Sequence, residues 1–208
     1  MASVDGSGAT GVAASQIGPV LAAGGARGDG RGADAARAVC RAAAWSMLLE
    51  DDAHAPYGWS HALTLPQAVL GVADEVDAHV ALAVAATYVV GFRSTLATRP
   101  LEPTFPHADA PGATAVPRVD LVRDALAAGP DHAAAAVWHA RPEERGGIVT
   151  LLATEASTRH DAHLVKYTLA CLDAAADDPA HAALFLAAAA SLASWWTVRP
   201  GLDDPLAG

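Results

Sequence analysis

The stretch AALFLAAAASLASWW, residues 182–196, decides how this chain is read. It carries no charge, and its only polar residues are two serines. Two kinds of helix have that composition: a membrane span and the innermost helix of a globular protein. A span needs ~20 consecutive apolar residues. This stretch is shorter, and alanine is only weakly lipophilic. It is therefore expected to be a buried core helix, begun by Asp178-Pro179, with proline in the first turn where a missing N–H costs least.

Working outward, the same alanine bias runs through the whole chain. Of 208 residues, 52% are hydrophobic but only 5% aromatic, so alanine supplies most of the apolar count. Alanine is the best helix former and buries little area. The expectation is an all-α protein: a single-domain helical bundle, or stacked helical pairs, of about seven helices. The length is enough for one domain with a sizeable core.

Punctuation marks divide the chain. Thr158 and Asp161 have capping spacing for a helix from about His160 to Ala175. Pro142 suits the first turn of a helix running to Ala156, weakened early by Gly146-Gly147. Asp131 caps the helix carrying His132, Val137, Trp138 and His139, and Arg118–Ala128 stops at Gly129-Pro130. Five prolines between Arg99 and Pro117 make a loop. Acidic residues open, and arginines close, a long helix from Glu75 to about Thr98, complementing its dipole. A short helix is expected at Gln67–Val72. Pro56, Gly58 and Pro66 argue that Asp51–Pro66 is a non-helical turn. Asp34–Glu50 is a further helix. Residues 1–32, rich in Gly, Ala and Ser, are expected to form a flexible leader, residues 33–200 the helical domain, and residues 201–208 a tail.

Charge and cysteines narrow the function classes. The formal net charge is −10 and the thirteen basic residues are scattered. Nucleic-acid binding needs clustered Lys and Arg, so nucleic acid is not expected as a partner. Cys40 and Cys171 read as reduced thiols, and no segment has the pattern of a signal peptide, so a cytoplasmic location away from membranes is expected. No G-x-G-x-x-G after a strand, G-x-x-x-x-G-K-[ST], C-x-x-C or H-E-x-x-H is present.

Two stretches stand out for chemistry. In STRHDAHLVKYTLACLDAA, residues 157–175, His160 and His163 share one helix face, with Tyr167 and Cys171 continuing at i+4 steps and Lys166 towards an edge. H-x-x-H spacing suits two ligands of one metal, or an acid and a base. A metal needs at least a third ligand, for which His61, His79 and His181 are available, and its identity is unknown. The plainer reading leaves both histidines half exposed in a first helical turn. His160-Asp161 also has the His-Asp pair of HD-type metal phosphohydrolases, but no suitably spaced later Asp completes that set. In YGWSHALT, residues 57–64, Tyr57, Trp59 and His61 line either a pocket or a hydrophobic plug. His79 lies among Val76, Leu82 and Ala83, which favours a core histidine over a ligand.

The stretches APYGWSHALTLPQAVLGVA (55–73) and HDAHLVKYTLACLDAAADDPAHAALFLAAAASLASWW (160–196) resemble bacterial members of the questin oxidase-like family. That family is helical and named after an enzyme that opens an anthraquinone ring by Baeyer–Villiger-type oxygen insertion. The resemblance implies an oxidoreductase acting on an aromatic, polyketide-like small molecule, with NADPH as cofactor. The expected pocket lies between residues 57–61 and the helix beginning at His160. His61, His160 and His163 are the candidate catalytic groups; Tyr57, Trp59, Tyr167 and His79 the substrate contacts; Lys166 the cofactor contact. The alternative from another class is a non-catalytic helical module that carries a small molecule or forms a homodimer, with Trp195-Trp196 in a partner surface.

Overall fold

The computed structural model describes residues 31–49, 56–73, 77–97, 118–159 and 161–199. They form eight α-helices: α1 Arg31–Leu49, α2 Pro56–Gly71, α3 Ala78–Leu96, α4 Arg118–Ala128, α5 Pro130–Trp138, α6 Arg145–Thr158, α7 Ala162–Asp177 and α8 Ala182–Val198. Two single 3₁₀ turns, Pro142–Glu144 and Pro179–His181, lead into α6 and α8, and no strand occurs among the described residues. The fold is all-α, as the alanine content predicts. The five-proline stretch and the tail lie outside the described residues, as do residues 1–30 of the expected leader; α1 already includes residues 31 and 32.

Helix α8 is the axis of the molecule. It packs against α1, α4, α5, α6 and α7. Ala187, Ala188, Ala189 and Ala190 are fully buried, and four consecutive buried residues cover every side of a helical turn. Small side chains on all sides let neighbouring backbones approach closely. One continuous apolar cluster takes residues from all eight helices, with Phe185, Leu186 and Leu192 of α8 at its centre. Pro179–Val198 is long and apolar enough to cross a membrane by length and composition, yet most of it is covered by the rest of the chain. Trp195 and Trp196 are buried too, edge to face at 5.0 Å, which removes them from the partner surface expected of them.

Polar ties fix the ends of these helices. Ser194 Oγ of α8 donates to the Leu126 carbonyl of α4 at 2.8 Å. Arg41 Nη1 of α1 reaches Asp178 Oδ2 at 2.6 Å, and His181 Nδ1 lies 3.0 Å from Asp178 Oδ1. Burial alone would raise the Asp178 pKa, but His181 and Arg41 outweigh it and hold the carboxyl below its ordinary value. Gly129, at φ 131°, turns the chain sharply between α4 and α5, in a conformation side chains strongly disfavour.

Two expectations are corrected. Residues 56–66 are not a non-helical turn but the first two-thirds of α2. Pro56 sits at the first position, where its missing N–H is harmless. Pro66 is interior and costs about 3 kcal/mol through the lost hydrogen bond and the clash one turn back. Against that, Trp59, Ala62, Leu63 and Pro66 form a buried i, i+3, i+4, i+7 stripe. Burying a large apolar side chain contributes about 1.5–3 kcal/mol, so Trp59 and Leu63 alone offset the proline. His79 is exposed rather than interior. Helix α3 starts at Ala78, capped by Asp77 Oδ1, which accepts from the His79 and Val80 backbone N–H at 2.8 and 3.3 Å. The inward positions are Ala81, Leu82, Ala85 and Val89.

Helix α6 opens on adjacent glycines with opposite surroundings. A Cβ at Gly146 meets nothing within 4 Å, whereas one at Gly147 falls 2.6 Å from Val119 Cγ2 of α4. Gly146→Ala should therefore stabilise the protein by about 0.5–1 kcal/mol through the unfolded chain. Gly147→Ala should destabilise it, because β-branched Val119 has little rotamer freedom to retreat. Urea denaturation of the two variants reads both; equal gains would contradict the described contact between α4 and α6.

Candidate active site

Helices α2 and α7 lie side by side and run in the same direction. At their N-terminal ends, the rings of His61 and His163 meet edge to face, with centroids 5.7 Å apart. One turn on, Lys166 Nζ lies 3.4 Å from His61 Nδ1, where the ammonium can donate to a neutral ring that carries its proton on Nε2. Further along both helices, Gln67 Nε2 donates to the Ala170 carbonyl at 2.8 Å. Between these contacts runs an open groove of about 530 Å³, its walls His61, Thr64, Leu65 and Ala68 of α2, and Lys166, Leu169 and Asp173 of α7. Leu65 and Leu169 are exposed along it, unusual positions for leucine in a fold with so much buried surface.

The geometry follows from local sequence. Asp161 caps α7, its Oδ1 accepting from the Leu164 N–H at 2.6 Å, which fixes where His163 and Lys166 fall in the first turns. Tyr167, Thr168 and Cys171 then face the core, leaving Lys166, Leu169 and Asp173 outside. On α2, burial of the Trp59–Leu63 stripe turns His61, Thr64 and Leu65 towards α7.

The His61 pKa is lowered from its ordinary value, first by partial desolvation, then by the positive charge of Lys166, then by His163. His61 is accordingly a neutral base at pH 7, beside a cation. The arrangement can take a proton from an acidic O–H and hold the resulting anion against the ammonium.

The sequence-predicted residues divide. His61, His163 and Lys166 come together. Trp59 is buried against Phe92 of α3, centroids 5.0 Å apart, and does not reach the groove. Tyr167 is wholly buried beside Cys171; burial pushes its phenol well above the usual range and pushes the Cys171 thiol up as well. It cannot stack on a ligand in the groove. His79 stands on α3 and is not part of the lining. Tyr57 belongs to α2, but its side chain lies outside the described residues, as does His160. Sequence reasoning missed Gln67, Thr64 and Asp173; the i, i+3, i+4, i+7 pattern of His61, Thr64, Leu65 and Ala68 identifies that wall once α2 is known to be helical.

Among the described residues, no three of His, Cys, Asp and Glu come together as metal ligands. The Lys166 ammonium at His61 Nδ1 would also repel a dication at that nitrogen. Nor does the groove fit NADPH: its pyrophosphate and 2′-phosphate need several cationic or backbone N–H partners, and the lining offers one lysine, with Asp173 opposing it. No family model, no curated protein and no solved structure matches the chain.

NMR titration tests the His61–Lys166 contact. The His61 ring should titrate with a midpoint below 6.5. Lys166→Met should move that midpoint upward but not all the way, since desolvation, the larger cause, remains. A midpoint unmoved by the substitution would mean that the two side chains are not neighbours in solution.

Proposed function

We propose that the chain is an enzyme acting on a small aromatic, polyketide-like molecule bound in the α2/α7 groove, an oxidoreductase of the questin oxidase-like type. The observation that supports this reading is the convergence of His61 and Lys166 from two helices at one end of a groove rimmed by exposed leucines, with His163 packed against His61. Such a lining suits a flat, largely apolar ring system carrying an acidic hydroxyl.

The chain's own residues supply proton chemistry. Lys166 turns from His61 Nδ1 to the substrate hydroxyl, and the freed Nδ1 accepts the hydroxyl proton. The phenolate that forms pairs with the ammonium. His163, edge-on to His61, holds the imidazole plane. Ionising the phenol makes the ring more electron-rich, which is the part of the reaction that these residues supply. NADPH remains an implication of the resemblance alone; no step is assigned to it, because the groove does not fit it.

The test is dioxygen uptake and product mass with polyhydroxylated anthraquinones, with and without NADPH. His61→Asn should lower turnover by about a hundredfold or more, the usual contribution of a positioned acid–base group, and His163→Gln, which acts only through the His61 ring, by less. The melting temperature of His61→Asn should stay near that of the parent, since His61 lines the groove; His163, half-buried behind it, is the position where a small loss of stability is expected. Parent protein that neither consumes dioxygen nor binds any of these phenols retires the proposal.

A further inference from the structure

The groove does not end at Asp173. A second cavity of about 280 Å³ opens under α1, with Arg37, Cys40, Leu70, Asp177 and Phe185 in its walls. Gln67 and Asp173 line both spaces, so the two meet at that pair. Gln67 spends its amide N–H on the Ala170 carbonyl, leaving Oε1 as an acceptor towards the junction. Asp173 is exposed and makes no hydrogen bond or ion pair among the described residues. Asp177 and Asp178, by contrast, are committed to Arg37 and Arg41.

The trough has a polarity. Lys166 marks one end and Asp173 the middle, seven residues or about 10 Å apart along α7. Because α2 and α7 run in the same direction, their dipoles add, positive at the histidine end and negative beyond Asp173. Between the poles the rim is apolar, Leu65 and Leu169. Beyond them the cavity is closed by Leu70, Phe185 and Cys40, whose thiol burial pushes up to about 11 and so keeps neutral.

We propose that groove and cavity form one trough that binds an elongated amphoteric molecule, its acidic group at Lys166 and a cationic or hydrogen-bond-donating group about 10 Å away at Asp173 and Gln67. This inference rests on the α2/α7 groove being the ligand site and adds the second recognition point. It sets the ligand class: two linked or fused rings with an acid at one end and an amine or hydroxyl towards the other. A purely acidic ligand would leave Asp173 without a partner in the trough.

Isothermal titration with two probes tests it: biphenyl-4-carboxylate, and its 4′-aminomethyl derivative, which adds an ammonium at the required reach. On the parent protein the zwitterion should bind about fivefold more tightly, the effect of one exposed ion pair. Asp173→Asn should abolish that preference and leave affinity for the plain carboxylate unchanged; Lys166→Met should weaken both probes. Both positions are exposed, and circular dichroism confirms that the variants fold. Equal affinity of the two probes on the parent, or a preference that survives Asp173→Asn, overturns the amphoteric trough. If the carboxylate still binds and needs Lys166, the groove itself stands. Failure of both probes to bind overturns trough and groove together.

Discussion

Close approach around α8 is the constraint on which the rest of the structure depends. Four fully buried alanines in succession leave no side of that helix able to hold a large neighbour at a distance. Alanine buries little area, so the apolar stabilisation has to come from the number of helices touching the axis and from larger residues at intervals, Phe185 and Leu192 among them. The same closeness makes the packing intolerant: a methylene added at Ala188 or Ala189 has no void to enter. It also orders the shell, because α1, α4, α5, α6 and α7 must share the circumference of one thin helix.

Helices α2 and α3 are not among the helices that crowd α8, and α2 packs on α1, α3 and α7 instead. Its inward stripe, with Trp59 against Phe92, is anchored to α1 and α3. What remains facing α7 is His61, Thr64 and Ala68, with Leu65 exposed at the rim. An apolar seam would have closed. Here the contact is made by the two imidazoles at one end and the Gln67 side chain at the other, and the space between stays open. The groove is thus a consequence of which residues α2 has left after its core stripe is buried.

Much of this was readable in the sequence, and what was not has physical reasons. Asp161 and Asp178-Pro179 announce helix starts through backbone chemistry that acts within a few residues, and α7 and α8 begin close to where those signals lie; Asp131, expected to cap α5, instead lies in its first turn, with Gly129 at the cap and Pro130 at the first position. The core role of residues 182–196 follows from composition alone. Helix α2 was hidden because Pro66 carries a local penalty that only tertiary burial offsets, and a pattern reading sees the penalty but not the burial. His79 was misplaced by a shift of about one turn in the start of α3: the cap is Asp77, so residue 79 falls at the helix end, where its apolar sequence neighbours do not enclose it.

The candidate site shows the same division more sharply. His163 and Lys166 could be placed on one helix from spacing, but no sequence rule brings His61 within 3.4 Å of a lysine 105 residues away. Tyr167 was assigned to the same face as His163 because four residues separate them, yet a helix advances 100° per residue and the pair differs by about 40°. On a helix lying at the edge of a core, that angle is enough to carry one ring against His61 and the other into full burial. The distinction sets the chemistry. A phenol in the groove would compete with His61 for the Lys166 charge; a phenol buried beside Cys171 leaves the lysine to the imidazole and to whatever anion displaces it.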